Sequence, residues 1–165
     1  MKKILFVVAL FSSLSIISQQ ELRLDITDAL ALKTLEVSFE HYTSEKSSVG
    51  ISALFNFEGR SSDFRYNEDR MITPYFRHYF SENGNWNFFG ELFFGINTGE
   101  KEVNNNNVTT FIDYTDGALG IAVGTKYISE GGFILDIHGG LGRNLFGSDS
   151  PIIVPRVGAG SGYRF

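Results

Sequence analysis

The chain has 165 residues, 14 Lys+Arg against 19 Asp+Glu for a formal charge of −5, no cysteine, and Gly 18, Phe 16 and Tyr 7 against only Pro 3. That length fits one domain, the acidity argues against nucleic acid as a partner, and the lack of cysteine excludes a disulfide framework or a lipidated cysteine behind the first apolar run. Abundant glycine and aromatic residues favour strands and tight turns over helices.

The first element is a leader. Lys2 and Lys3 precede an apolar run from Ile4 to Leu14, and small residues follow to Ser18. This is the layout of a secretory signal peptide over residues 1–18, with cleavage after Ser18 and a single domain over residues 19–165. The run is too short for a spanning helix, which needs about 20 apolar residues. Losing the two lysines takes the formal charge from −5 to −7. No later segment has a long 3.6-residue stripe, so a helical membrane protein is excluded.

Period-2 alternation then predicts eight strands, at 21–29, 34–43, 47–58, 70–81, 86–98, 114–128, 132–143 and 153–165. In the fifth, Trp86, Phe88, Leu92, Phe94 and Ile96 oppose Asn87 and Glu91. In the sixth, Leu119, Ile121, Val123 and Tyr127 oppose Ala118, Gly120, Ala122, Gly124 and Lys126. In the seventh, Phe133, Leu135, Ile137 and Leu141 oppose Asp136, His138, Gly140 and Gly142, and in the eighth Val157, Ala159, Tyr163 and Phe165 oppose Arg156, Gly158, Gly160, Gly162 and Arg164. A wet sheet face has no reason to prefer Gly and Ala, whereas the inside of a small barrel must fit its side chains into little room.

The connections alternate in length. "SEKS", "SENGN" and "SEGG" are short, while "GRSSDFRYNEDR", "GEKEVNNNNVTTFID" and "NLFGSDSPI" are long and polar; the first, near "ALALK", is short and breaks the alternation. Short turns at one end and long loops at the other are the mark of a transmembrane β-barrel. The fold class predicted is therefore all-β, an eight-stranded antiparallel up-and-down transmembrane barrel. Strands near ten residues suit a tilted bilayer crossing. Tyr42, Tyr75, Tyr79, Phe80, Trp86, Tyr127 and Phe165 fall near strand ends, where interfacial girdles are expected.

The chain closes on Gly160, Tyr163 and Phe165, in an order that resembles the C-terminal signal of outer-membrane barrels read by the barrel-assembly machinery. "ITPYFRHYF", "FFGELFFGI", "GIAVGTKYI", "GFILDIHGGLGRNLF" and "PRVGAGSGYRF" are similar to segments of an uncharacterised family of short Gram-negative outer-membrane barrels, a domain of unknown function. The resemblance implies an eight-stranded barrel of the OmpA/OmpX type in the outer membrane, in contact with its lipid, and brings no reaction, catalytic residue or cofactor.

Face assignment sends Arg23, Asp25, Glu36, Glu40, Arg77, Glu91, Lys126, Asp136, His138, Arg156 and Arg164 into the lumen. Five acids against five bases predict cross-lumen ion pairs and a closed pore, because an unpaired buried charge costs several kcal/mol. Asp136 and His138, with Glu91, have the residue types of a metal or acid–base site, but scattered histidines without cysteine give no ligand spacing. His41 and His78 are expected on the lipid face near the periplasmic rim. "GAGSGY" lacks the third glycine and following helix of a dinucleotide fingerprint, and neither a phosphate-binding loop nor a Gly-x-Ser-x-Gly elbow occurs. The leading expectation is a structural or surface-interaction barrel, not an enzyme, with loops 59–69, 99–113 and 144–152 outside the cell. The alternatives are a lipid-modifying barrel enzyme using His41, His78 or His138, and a soluble lipocalin-like carrier.

Overall fold

The computed structural model describes residues 19–25, 34–57, 68–80, 84–105, 108–147 and 150–165, the side chains of 102–105, 108 and 109 excepted. Eight strands follow in chain order: β1 Gln20–Asp25, β2 Thr34–Ser44, β3 Ser47–Asn56, β4 Glu68–Tyr79, β5 Trp86–Asn105, β6 Val108–Ile128, β7 Phe133–Asn144 and β8 Ile153–Arg164. Each pairs antiparallel with the next, and β8 returns to β1, so the sheet closes into a barrel. Closure runs through Glu21↔Arg164, Leu22↔Tyr163 and Arg23↔Gly162. Phe165 and Gln20 exchange backbone hydrogen bonds of 2.9 and 3.1 Å beside that seam.

The polarity is reversed relative to a water-soluble domain. Leu119 (48% exposed), Ile121 (68%), Val123 (69%), Phe133 (47%), Leu135 (41%) and Ile137 (53%) face outward, while Lys126 (0%) and Asp136 (3%) are enclosed. Water would penalise that outer surface, and hydrocarbon does not. The apolar belt spans Ile72 to Phe76 on β4 and Leu119 to Val123 on β6. At one edge of the belt Trp86 packs on Tyr127 with ring centroids 5.3 Å apart, and Phe80 and Phe165 are exposed as well.

Glycine decides how large rings fit inside. Tyr75, Phe93 and Phe89 lie cross-strand from Gly50, Gly120 and Gly124. A Cβ on Gly124 would sit 2.5 Å from the Phe89 ring, and one on Gly120 or Gly50 would collide with Phe93 or Tyr75. The narrow face seen in the sequence is thus the seat for rings from the neighbouring strand. In the turn after β6, Gly132 takes a φ of 84° that a side chain would strain.

Two expectations are corrected. Tyr42, Tyr75 and Tyr79 are not in an interfacial girdle; they are buried in the lumen, because they share strand parity with Glu40 and Arg77. Residues 99–113 are not an open loop: β5 runs to Asn105 and β6 starts at Val108, as a ribbon from Gly99↔Tyr114 to Asn105↔Val108. The run Val108, Thr109, Thr110, Phe111, Ile112 has the β-branched and aromatic character that favours a strand despite the polar residues opposite. Most of loop 59–69 lies outside the described residues, as do 26–33, which hold the end of the first expected strand and the first connection, and 148–149 of loop 144–152.

Candidate functional site: the lumen and its two ends

Inward positions of seven strands supply a continuous chain of charge pairs. At the end where β1 begins and β8 finishes, Arg164 binds Glu21 through Nε at 2.9 Å and touches the Tyr42 hydroxyl at 2.8 Å. Glu21 also accepts from Lys126 Nζ at 2.6 Å, and Lys126 reaches Glu40 at 3.0 Å and the Tyr42 and Tyr79 hydroxyls. Glu40 is the hub. Arg23 lies 2.7 Å from it and Arg77 3.3 Å, and the Ser48 hydroxyl donates to it at 2.6 Å.

The chain continues upward. Asp136 accepts from Arg77 at 2.6 Å and from Arg23 at 3.0 Å, and its other oxygen lies 2.9 Å from His138 Nδ1. Glu91 accepts from Arg77 Nε at 2.7 Å and from Arg156 Nε at 3.0 Å, and Arg156 closes on Glu36 at 2.7 Å. Asp25 lies beside His138 above Gly158. Rings pad the cations: the Arg77 guanidinium is 4.0 Å from the Phe89 centroid and Lys126 Nζ 5.0 Å from that of Tyr79.

All eleven residues singled out as lumen-facing are therefore inside, with Arg164 half-buried at the rim. Glu21 was missing from that set although it is fully enclosed and binds Arg164 and Lys126. Its parity with Arg23 and Asp25 was the available signal. The tyrosine hydroxyls were missed for a different reason, since an aromatic near a strand end also fits a girdle.

The half toward the β5–β6 ribbon is built differently. Leu54, Met71, Tyr75, Phe93, Ala118 and Val154 form an apolar collar inside the barrel. Above it Asn97 donates to Asn144 at 2.9 Å, and Asn144 donates to the Pro151 carbonyl at 2.7 Å. Among the described residues, neither carboxylate oxygen of Glu68 has a hydrogen-bond partner, nor do Thr34 Oγ1 and Asn97 Oδ1. Glu68 opens β4, ahead of the belt residue Ile72, and burial, opposed in part by its own backbone N–H and reinforced by nearby Asp69, pushes its carboxyl up to about 7.

Asp116, also beyond the belt, ties the β7–β8 connection to the barrel. It accepts from the backbone N–H of Phe146 at 2.9 Å, Gly147 at 2.8 Å and Gly117 at 2.6 Å, and from the Ser150 hydroxyl. Burial raises this carboxyl, but the Ser150 and backbone hydrogen bonds outweigh it and hold the group down at about 2.

Catalytic geometry is thin. His78 Nδ1 lies 3.1 Å from Ser47 Oγ on the outer face, yet among the described residues no carboxylate orients that imidazole. His138 is inside the wall, whereas His78 is outside it. No three His, Asp or Glu residues among those described are grouped as a metal ion would require.

Solved structures share this architecture. The N-terminal β-barrel domain of Pseudomonas aeruginosa OprF superposes with a TM-score of 0.58 at 12% identity, covering 90% of this chain and 96% of that one. The chain has the fold of the small outer-membrane β-barrels. Neisserial surface protein A gives a TM-score of 0.52 at 12% identity, covering 90% and 94%. The Yersinia pestis outer membrane protein Ail, in a phospholipid bilayer nanodisc, gives 0.50 at 14% identity, covering 90% and 100%. No family model matches the sequence, and no curated protein matches it.

Proposed function

We propose that this protein is a small integral barrel of the Gram-negative outer membrane that exposes its extracellular end as a binding surface and performs no reaction. One observation carries the reading: aliphatic side chains clothe the outside while Lys126 and Asp136 are sealed within. A carrier of an apolar ligand needs an apolar cavity, and this lumen is filled by ion pairs and rings. The signal peptide at 1–18 delivers the chain across the inner membrane, and Gly160, Tyr163 and Phe165 present the last strand to the assembly machinery. Tyr163 (55% exposed) and Phe165 (63%) face outward, where another protein can read them. The ribbon of β5 and β6 beyond Gly99 and the connection anchored by Asp116 are the surfaces available outside the cell.

The lumen does not conduct, because Glu40, Asp136 and Glu91 each hold two or more cations across it. Fractionation with a boiled-versus-unboiled gel tests location: a heat-dependent mobility change in the outer-membrane fraction is expected, and a carbonate-soluble protein without one overturns it. Planar-bilayer recording tests closure: steady large channels overturn the closed lumen. Turnover of lipid A or phospholipid that is lost in His41, His78 or His138 variants would establish the enzyme reading instead.

A further inference from the structure

Within the barrel, the outward-facing strand positions among the described residues carry an arginine at two places, Arg70 on β4 and Arg143 on β7. Both stand in the extracellular part of the apolar belt, Arg70 level with exposed Phe55 and Arg143 level with exposed Ile153, with exposed Leu145 and Phe146 following it. The periplasmic border has none; it carries Trp86, Tyr127, His78 and Phe80 instead. Among the described residues, neither arginine has a hydrogen bond or ion pair. A bare guanidinium beside hydrocarbon is unfavourable unless something anionic meets it.

Arg143 differs from Arg70 in what lies beside it. It stands level with Leu119 and Ile153 in the ladder, at the end of an apolar trough of about 400 Å³ walled by Leu92, Leu119, Ile121 and Leu141. Gly120 faces Gly142 across the β6–β7 pair, but both belong to the lumen-facing side under the Phe93 ring, so the trough is shaped by the outward side chains alone. An open apolar trough that ends at a guanidinium without a partner among the described residues is complementary to an amphiphile with an anionic head. The outer leaflet of such a membrane is built from phosphorylated glycolipid, and a guanidinium matches a phosphate with two parallel hydrogen bonds.

We propose that Arg143 and its trough form a binding site for a phosphate-bearing lipid of the outer leaflet, with the guanidinium on the phosphate and one acyl chain along Leu92, Ile121 and Leu141. The site rests on the outer-membrane reading above.

The test is a native mass-spectrometry titration of the full folded barrel, in neutral detergent, with diphosphoryl lipid A and with the same lipid stripped of phosphate. Binding of the phosphorylated form is expected, weakened about tenfold by Arg143→Gln, the loss expected for one bidentate contact, and only partly by Arg143→Lys. Leu141→Gln should weaken it while leaving the charge in place, and Arg70→Gln should leave it unchanged. Equal losses from Arg70→Gln and Arg143→Gln would mean diffuse surface charge, and equal binding of the phosphate-free lipid would mean a greasy surface only; either overturns the site. A heat-dependent gel shift is recorded for every variant. A shifting protein that ignores the phosphate refutes the lipid site alone, while a wild type without the shift refutes the barrel reading beneath it.

Discussion

Glu40 and Glu68 are both carboxylates buried inside one barrel, 0% and 1% exposed, and they meet opposite fates. Glu40 touches Arg23, Arg77, Lys126 and Ser48. Glu68 receives no hydrogen bond from another of the described residues. The half that holds Glu40 is thus a mutually compensated network of charges. The other half closes by apolar packing and leaves polar atoms of Glu68, Thr34 and Asn97 unsatisfied among the described residues. Buried polar groups without partners are uncommon in folded proteins; Glu68, Thr34 and Asn97 carry them at this end, and Ser52, Thr125 and His138 carry one each elsewhere in the wall.

Breaking the network should cost most. Glu40→Ala leaves three cations facing one another and is expected to lower unfolding stability by roughly 3–5 kcal/mol, read by urea titration in detergent micelles through Trp86 fluorescence. A loss under about 1 kcal/mol, the worth of an exposed pair, would erase the contrast between the halves. Phe93→Ala attacks the collar instead. It removes the ring over Gly120 and Gly142 and should cost about 3 kcal/mol, as large-to-small core changes do. In a planar bilayer this variant is expected to flicker open, whereas Glu40→Ala at matched destabilisation is not.

Glu68 gives a prediction of opposite sign. A carboxyl raised from about 4.5 to about 7 favours the folded state only while protonated. Its contribution is fully present below about 4.5 and is lost as pH rises through 7. Glu68→Gln should therefore stabilise the barrel by up to about 3 kcal/mol at pH 8 and by little at pH 4, seen as a flattened pH profile of the unfolding midpoint. A parallel shift at both pH values would show that burial of this carboxyl is not the cause.

The smallest effect is local. Asp116→Asn weakens the charge-assisted hydrogen bonds to Phe146, Gly147 and Ser150 and should speed proteolysis within the β7–β8 connection by about tenfold, the equivalent of about 1.4 kcal/mol, with the global unfolding midpoint barely moved. In the native protein this anchor is held at neutral pH and weakens only as pH falls from about 4 toward 2. Equal protection in both proteins would mean that the connection is held by something else.

Much of this was legible in the sequence. Alternation placed Leu119, Ile121 and Val123 on one face and Lys126 on the other, and the strand bounds of β2, β3 and β7 follow closely from it. Glu21 was readable from parity with Arg23 and was lost only at a strand end. The ribbon of β5 and β6 was hidden because Glu100, Lys101 and Asn104 look like loop residues, whereas their partners Asp113, Ile112 and Thr109 belong to a strand-forming run.

By itself the sequence determined which side chains share a face, because successive residues in a strand point to opposite sides whatever the strand pairs with. Only the closed barrel decided who meets whom: Arg23 with Asp136, 113 residues apart, and Arg156 with Glu36, 120 apart. Those meetings depend on the stagger at which β8 joins β1 and on the strand tilt it imposes. Such quantities are properties of the whole sheet, and a two-residue repeat carries no record of them.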